Sequence, residues 1–166
     1  MSLSLSKLKL TTCLWFDGQA KEAAEFYTSI FPNSKILHIQ QHIKCDDKID
    51  PNDTVLVAAF ELDGHQFVGL NGGPQFKFDE AISFQIDCAN QEEVDYYYEK
   101  LSEGGDPKRR DCGWVADKYG VSWQIVPTVL KTMLASEDKE AAMRVYQAMN
   151  SQVKFNIAEL EKAFKG

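Results

Sequence analysis

The sequence repeats one order of secondary-structure elements, and this repeat constrains the fold more than any other feature. Apolar periodicity predicts that the first copy contains a strand (9–17), a helix (19–31) and three further strands (35–43, 54–62 and 65–71). Asp63-Gly64 separates the last two strands and is typical of a tight hairpin turn. The order is therefore β-α-β-β-β.

The same order begins again in the second half of the chain. Its predicted elements are a strand (81–89), a helix (91–105) and a hairpin of two strands (112–127) around Tyr119-Gly120. The segment 107–111 is a candidate for one further short strand. Each copy leaves one sheet face uncovered, so the two copies should pair to hide it. We therefore predict an α+β fold of paired βαβββ modules.

A helical tail follows the second module. The predicted organisation is two modules, 7–75 and 76–127, that together form one cavity within 7–127, and a tail at 128–166. Residues 137–150 carry a helical apolar pattern, and Asn156 followed by Glu159 predicts a capped helix at 157–165. The tail carries no motif with an evident chemical role, so we expect it to serve packing or dimer contact.

The net charge excludes two classes of partner. The 166 residues carry a formal charge of −7, with a pI near 5.0. Nucleic acids and anionic membranes attract basic surfaces, so we expect neither as a partner. No apolar run approaches the ~18 residues needed to span a bilayer. The composition predicts a soluble protein of about one domain.

The cysteines indicate a reducing compartment. Cys13, Cys45, Cys88 and Cys112 form no C-x-x-C pair and no zinc-type cluster with histidine. The N-terminus also has no apolar core of signal-peptide length. We therefore expect reduced thiols in a cytoplasmic protein. Because Cys112 lies close to an arginine pair, a reactive thiolate there is the alternative.

Three segments carry a family resemblance. They are LWFDGQAKEAAEFYTSIFPNSKI (14–36), GLNGGPQFKFDEAISFQIDC (69–88) and CGWVADKYGVSWQIVP (112–127). Together with the paired modules, they resemble the vicinal-oxygen-chelate superfamily, also called glyoxalase/bleomycin-resistance/dioxygenase proteins. More narrowly, they resemble the PhnB-like family, often labelled 3-demethylubiquinone-9 3-methyltransferase. The resemblance extends over nearly the whole chain, tail included.

The resemblance implies two half-curled sheets that enclose a cavity. In metal-dependent members, four inward-facing strand residues, usually His, Gln or Glu, chelate one divalent ion that acts as a Lewis acid. The matching positions here hold Thr11 or Thr12, Leu70 or Asn71, Ser83 and Gln124. This neutral set offers neither a carboxylate nor an imidazole, so we expect no catalytic metal and no cofactor.

Other candidate metal ligands have simpler interpretations. His38 and His42 would lie about 13 Å apart along one strand, too far to share an ion. His65 opens its strand after a turn, where we expect it to face solvent. The segment 45–53 resembles a calcium loop only loosely, because it lacks the glycine at the sharp turn and the bidentate glutamate. Its carboxylates, which we expect to be solvated, belong to Asp46, Asp47, Asp50 and Asp53.

Strand alternation predicts which residues line the cavity. Ser83 and Gln85 share one strand face, and Gln124 lies on the face opposite the apolar Trp123. Such polar groups among aromatic rings suit a neutral organic ligand that forms hydrogen bonds. The predicted ligand-binding residues are Asn71, Ser83, Gln85, Trp114 and Gln124. The alternative is that these groups satisfy each other or buried water.

Two further features have two interpretations each. The basic run Lys108-Arg109-Arg110 is either a solvated loop or the receptor of an anionic substrate group. Trp114 is either a cavity wall or a dimer contact. By contrast, we expect Trp123 to belong to the core.

The methyltransferase label is a poor guide to chemistry. A doubly wound fold that binds S-adenosylmethionine needs a glycine-rich turn that opens a helix. The glycine-rich piece of this sequence, GLNGGP (69–74), is followed by a predicted strand. Three functions remain open: a metal-free small-molecule-binding or sequestration protein, a divalent-metal-dependent lyase, isomerase or dioxygenase, and a dimeric interaction protein with a vestigial cavity. We rank the first highest and the metal-dependent enzyme lowest.

A homodimer is the expected assembly. The sequence offers three tryptophans, a tyrosine run at 96–98 and an apolar tail face with Met143, Tyr146 and Met149. This is more apolar surface than a small acidic monomer usually exposes.

Overall fold

The computed structural model describes residues 10–42 and 55–166. The chain divides into two compact units, the first ending at Lys77 and the second running from Phe78 to Gly166. The predicted acidic loop, with Asp46, Asp47, Asp50, Asp53 and Cys45, lies outside the described residues, as do residues 1–9. Within the described ranges, no helix combines the length and the apolar character that crossing a membrane requires.

The first unit is a βαβββ module, as predicted. Its elements are β1 (Thr12–Phe16), α1 (Ala20–Ile30), β2 (Lys35–Gln41), β3 (Val55–Leu62) and β4 (His65–Asn71). The strands form one sheet in the order β1-β4-β3-β2. β1 and β4 are parallel, and the other pairs are antiparallel. Such a mixed sheet agrees with the predicted α+β class.

A tight turn sets the register of β3 and β4. Asp63 and Gly64 both have positive φ, at 43° and 83°, as a two-residue hairpin turn of the favoured kind requires. Leu62 and His65 therefore pair directly at the end of the ladder. The predicted hairpin is confirmed.

Helix α1 covers one face of the first sheet. Its buried side is mostly alanine, which lets the helix approach the strands closely; beside the alanines, Tyr27 is fully buried. The Tyr27 ring stacks on Phe60 of β3, with centroids 6.0 Å apart, and Phe60 stacks in turn on Phe67 of β4. This aromatic stack is the centre of the first core.

Among the described residues, the second unit has one strand fewer than the first. Its elements before the tail are β5 (Ser83–Cys88), α2 (Gln91–Ser102), a 3-10 helix (Pro107–Arg109), β6 (Trp114–Ala116) and β7 (Ser122–Pro127). The sheet order is β5-β7-β6, with β5 and β7 parallel and β6 and β7 antiparallel. The candidate strand at 107–111 is wrong apart from one isolated bridge between Asp111 and Trp114. Pro107 lacks a backbone donor and Asp106 caps the turn through the backbone N–H of Lys108, so this segment closes as a 3-10 helix.

The tail borders the second sheet where β6 begins. The backbone N–H of Cys112 donates to the Gln152 carbonyl at 3.0 Å, and that of Gly113 donates to the Val153 carbonyl at 2.9 Å. On its other side, the Gly113 carbonyl accepts from Ile125 of β7. Two backbone hydrogen bonds therefore join residues 152–153 of the tail to the turn that precedes β6.

The tail is helical, as predicted. It contains α3 (Thr128–Leu134), α4 (Lys139–Asn150) and α5 (Ile157–Lys165). The expected cap of the last helix is confirmed, because the Asn156 side chain accepts from the backbone N–H of Glu159. Gln91 at the start of α2 holds the same region, since its amide bonds the Phe155 carbonyl and the Ile157 N–H.

Candidate functional site

Four of the predicted binding residues lie together on one face of the second sheet. Gln124 of β7 is the register partner of both Gln85 on β5 and Trp114 on β6, so these three side chains form a line across the strands. Ser83 lies two residues before Gln85 and projects from the same face. Gln124 Nε2 donates to Ser83 Oγ at 2.8 Å. We call Ser83, Gln85, Trp114 and Gln124 the polar row.

The opposite face of this sheet is the core. Phe84, Trp123 and Val115 are aligned across β5, β7 and β6, and the last two are buried. Trp123 is therefore a core residue, as expected. Its indole N–H donates at 2.8 Å to the buried carboxylate of Asp117, which also accepts from the backbone N–H groups of Tyr119 and Val121.

Asp117 is a residue that sequence reasoning missed. Its carboxylate holds the loop between β6 and β7 and fixes the orientation of Trp123. The signal was present, because an aspartate two and four residues before the amides it bonds is typical of a side-chain-stabilised turn.

The polar row keeps unused hydrogen-bonding capacity. Ser83 and Gln124 are half-buried and Gln85 is exposed. After the bond between Ser83 and Gln124, the serine hydroxyl hydrogen and the amide oxygen of Gln124 have no partner within the described ranges. A ligand with one acceptor and one donor could use both groups. Mutual satisfaction, the alternative interpretation, is thus realised in one bond and leaves these two atoms available.

A chain of polar contacts continues from the polar row to the tail. Gln85 Nε2 donates to Asp87 Oδ1 at 2.7 Å, and Lys131 Nζ of α3 reaches the same oxygen at 2.5 Å. The hydrogen bond from Lys131, aided by the one from Gln85, holds the pKa of Asp87 below its usual value although burial opposes the shift. Asp87 is therefore a carboxylate that orients the amide of Gln85.

An open cleft of about 360 Å³ adjoins the polar row at Trp114. Its other lining residues are Glu80, Lys108, Arg109, Asp111 and Cys112. Arg109 is anchored by three contacts: Nε to the Glu80 carboxylate, Nη1 to the Gly120 carbonyl and Nη2 to Ser122 Oγ. Lys108 and Arg109 of the basic run thus lie beside Trp114 of the polar row, an arrangement that the sequence alone did not indicate.

Arg110 and Cys112 do not supply reactive groups to this cleft. Arg110 Nη2 donates to the carbonyls of Ser102 and Gly105, so it closes the C-terminal end of α2. Burial, aided by the charge of Asp111, raises the pKa of the Cys112 thiol. A raised pKa disfavours the thiolate, so the reactive-thiolate alternative is not supported.

Asn71 belongs to the first unit and already has two bonds. Its Oδ1 accepts from the backbone N–H of Ala20 at 2.9 Å, and its Nδ2 donates to the Val55 carbonyl at 2.9 Å. These bonds hold the first turn of α1 and the start of β3 against the end of β4. A ligand contact of Asn71 stays a prediction, because this geometry also suits a positioning role.

The described donors do not fit a resident divalent ion. In the first unit, Thr12 and Asn71 share the face of the buried Phe16, which leaves Thr11 and the apolar Leu70 on the opposite face. In the second unit, Gln124 offers its amide nitrogen, which is not a metal ligand, towards Ser83. Within residues 10–42 and 55–166, no three His, Cys, Asp or Glu side chains cluster as a metal site. Neutral donors of this kind do not offset the dehydration of a dication.

Comparison with known proteins gives one family and one fold. The sequence matches the family described as 3-demethylubiquinone-9 3-methyltransferase over residues 8–126. A PhnB protein from Bacillus cereus, described with the same methyltransferase label, is 35% identical with a TM-score of 0.62; the alignment covers 73% of this chain and 100% of that chain. No curated protein matches the sequence.

Two more distant structures show similarity of fold alone. Protein PA1353 from Pseudomonas aeruginosa is 17% identical with a TM-score of 0.57, covering 73% of this chain and 98% of that chain. FosX from Listeria monocytogenes, a fosfomycin resistance protein, is 19% identical with a TM-score of 0.50, covering 80% and 100%. The family match ends at residue 126, so the expectation that it includes the tail is wrong. Helices α3, α4 and α5 lie beyond the part of the chain that resembles the family.

Proposed function

Because this chain belongs to the 3-demethylubiquinone-9 3-methyltransferase family of PhnB-like proteins, with the vicinal-oxygen-chelate fold, we propose that it binds a small organic molecule on the polar row of its second sheet, without a resident metal. The observation that carries the proposal is the hydrogen-bonded pair Ser83–Gln124, which retains one donor and one acceptor; Gln124 is the register partner of Trp114, which lines the open cleft. A mostly pre-formed site with few polar groups and an aromatic wall suits such a ligand.

A metal-dependent reaction of the superfamily type is the less favoured candidate. It needs charged or imidazole ligands, and the positions of the polar row supply a hydroxyl and amides. The fold shared with FosX does not transfer its activity, because one fold supports many different functions.

The family label does not lead us to propose methyl transfer. The described strands form two small mixed sheets, in contrast to the doubly wound parallel sheet of dinucleotide-type folds. The glycine-rich stretch has a local structural explanation, since a Cβ at Gly72 would lie 2.2 Å from the Trp15 ring. Gly72 is therefore required for the packing of Trp15.

We also propose that the protein is a homodimer and that it is located in the cytoplasm. On α4, Met143 is 56% exposed and Tyr146 is 51% exposed, which favours contact with a second copy. Sedimentation at micromolar concentration should give twice the mass of the chain, and a monomer would contradict the dimer.

Ligand-detected NMR with neutral aromatic amides, benzamide among them, tests the binding site. We expect binding that persists in excess EDTA and weakens in Gln124→Leu, which keeps the side-chain size but removes both amide groups. Gln147→Leu, at an exposed position of α4, is the matched control and should bind as the native protein does. Loss of binding on chelation would favour the metal-dependent alternative, and equal binding by both variants would exclude the polar row as the site.

A further inference from the structure

We propose that Arg109 is the receptor for the carboxylate of a small aromatic organic acid, and that Glu80 occupies this receptor until the ligand displaces it. The inference rests on the proposed function, because it names the ligand class of the same site. The ligand ring would lie against Trp114, which lines the cleft together with Arg109 and Glu80. The polar row would then contact the remaining polar groups of the ligand.

The guanidinium of Arg109 is oriented without the help of Glu80. Its Nη1 donates to the Gly120 carbonyl at 3.2 Å, and its Nη2 donates to Ser122 Oγ at 2.9 Å. Ser122 is buried, and its hydroxyl also donates to the Asp79 carbonyl. Departure of the Glu80 carboxylate would therefore leave the Nε edge of Arg109 aimed at the cleft. An arginine held in this way is pre-organised to receive another carboxylate.

Glu80 is placed to leave. Its side chain is 56% exposed, whereas that of Arg109 is 23% exposed. Among the described residues Glu80 bonds Arg109 alone, and it lies in the turn that precedes β5. Because Glu80 is the exposed member of the pair and an incoming carboxylate would restore the contact that Glu80 gives up, the exchange has little free-energy cost.

The charges of the cleft favour one incoming negative charge. Lys108 and Arg109 carry two positive charges, and Glu80 and Asp111 carry two negative charges. When Glu80 turns to solvent the lining becomes net positive by one, because 2 − 1 = 1. Within the part of the chain that is described, the Lys108 ammonium has no ion-pair partner, so it can attract the ligand further. A monoanionic acid restores neutrality.

A comparison of benzoate with benzamide tests the inference, since the two probes share size and ring and differ in charge. Binding is measured by ligand-detected NMR at low ionic strength, where surface charges are least screened. Glu80→Gln removes the competing charge and keeps the side-chain size. We expect it to bind benzoate about two- to fivefold more tightly than the native protein, the range for one exposed ion pair. Its affinity for benzamide should not change.

Two variants make the outcome specific to Arg109. Glu92→Gln removes an equivalent exposed charge from α2 and should leave benzoate affinity unchanged. Arg109→Lys keeps the positive charge but loses the fixed N–H directions of the guanidinium. Adding Glu80→Gln to this variant should therefore not increase its affinity for benzoate. Thermal unfolding checks that each variant folds. If Arg109→Lys does not fold, the comparison of Glu80→Gln with the native protein still tests the inference.

The possible results separate this inference from the function on which it rests. If benzamide binds and Glu80→Gln gives benzoate no advantage, the carboxylate receptor is wrong and the small-molecule site stands. A gain of equal size in Glu92→Gln also overturns the inference, because it would reflect overall charge. If neither probe binds any variant, both proposals fail.

Discussion

Gly113 is the position where one methyl group should disturb the second unit most. Its φ is +79°, and a Cβ there would lie 2.4 Å from Phe155 Cε2 and 2.9 Å from the Ile125 carbonyl oxygen. Phe155 is 2% exposed, so its ring has little room to move. Gly113→Ala combines left-handed strain of about 1–2 kcal/mol with overpacking of about 1–3 kcal/mol. The expected loss in the free energy of unfolding is thus about 2–5 kcal/mol.

Gly120→Ala is the matched control for this substitution. Gly120 has a similar φ of +89° in the same unit, and a Cβ there would meet Arg109 Nη1 at 3.7 Å and Phe78 Cβ at 3.8 Å, which are ordinary contact distances. It should lose only the strain of about 1–2 kcal/mol. Urea unfolding followed by tryptophan fluorescence measures both. Equal losses in the two variants would refute the close packing of the tail against β6, and replacing Phe155 by a smaller residue should rescue Gly113→Ala in part.

Three further outcomes follow from other contacts. Asp117→Asn should destabilise the protein by about 1–3 kcal/mol in urea unfolding. The Asp117 carboxylate accepts three N–H groups, and the NH₂ group of an asparagine would face at least one of them, such as the Trp123 indole N–H, without an acceptor. A hydrogen bond from Lys154 holds the pKa of Asp95 below its ordinary value. The ionised pair therefore stabilises the fold above the pKa that Asp95 has in the unfolded chain, and this stabilisation is lost as the pH falls through the lower folded pKa. Lys154→Met should remove this contribution, so its melting temperature should fall less on acidification than that of the native protein. Alkylation of Cys112 by iodoacetamide, followed by mass spectrometry, should have its midpoint at a higher pH than that of a freely exposed cysteine, since burial raises the thiol pKa.

For each of these three predictions, one result would refute the reasoning. An Asp117→Asn protein as stable as the native one would mean that the indole does not depend on the carboxylate. Identical pH profiles with and without Lys154 would remove the ion pair as a source of acid sensitivity. Fast alkylation near neutral pH would restore Cys112 as a reactive thiol.

The sequence predicted the first unit well because its signals are local. The helix pattern of α1 and the Asp63-Gly64 turn each depend on neighbouring residues, and both appear where expected. The second unit was predicted less fully. At 107–111 a proline and an aspartate cap favour a 3-10 helix over the predicted strand. The backbone N–H groups of Cys112 and Gly113 find their acceptors at residues 152–153 of the tail, a contact that no local pattern reveals.

The candidate site likewise has a part that local sequence patterns predicted and a part that they did not. Alternation was enough to place Ser83, Gln85 and Gln124 on one face, because strand periodicity is a local property. The pairing of Arg109 with Glu80 and Ser122 joins three segments that are distant in sequence. Such contacts arise from tertiary packing, so the sequence could offer two interpretations of the basic run without choosing between them.

The backbone bonds from the tail to Cys112 and Gly113 have a consequence for the order in which the chain matures on the ribosome. All strands of the first sheet have been translated by residue 71, so that sheet can form its full hydrogen-bond ladder while the rest is still being made. The second sheet has all of its strands at Pro127, but the backbone N–H groups of Cys112 and Gly113 must wait for the carbonyls of residues 152–153. At about 5–20 residues per second this interval is on the order of seconds. During it, these two N–H groups lack the tail carbonyls that they bond in the folded protein, and they are open to pairing with another chain.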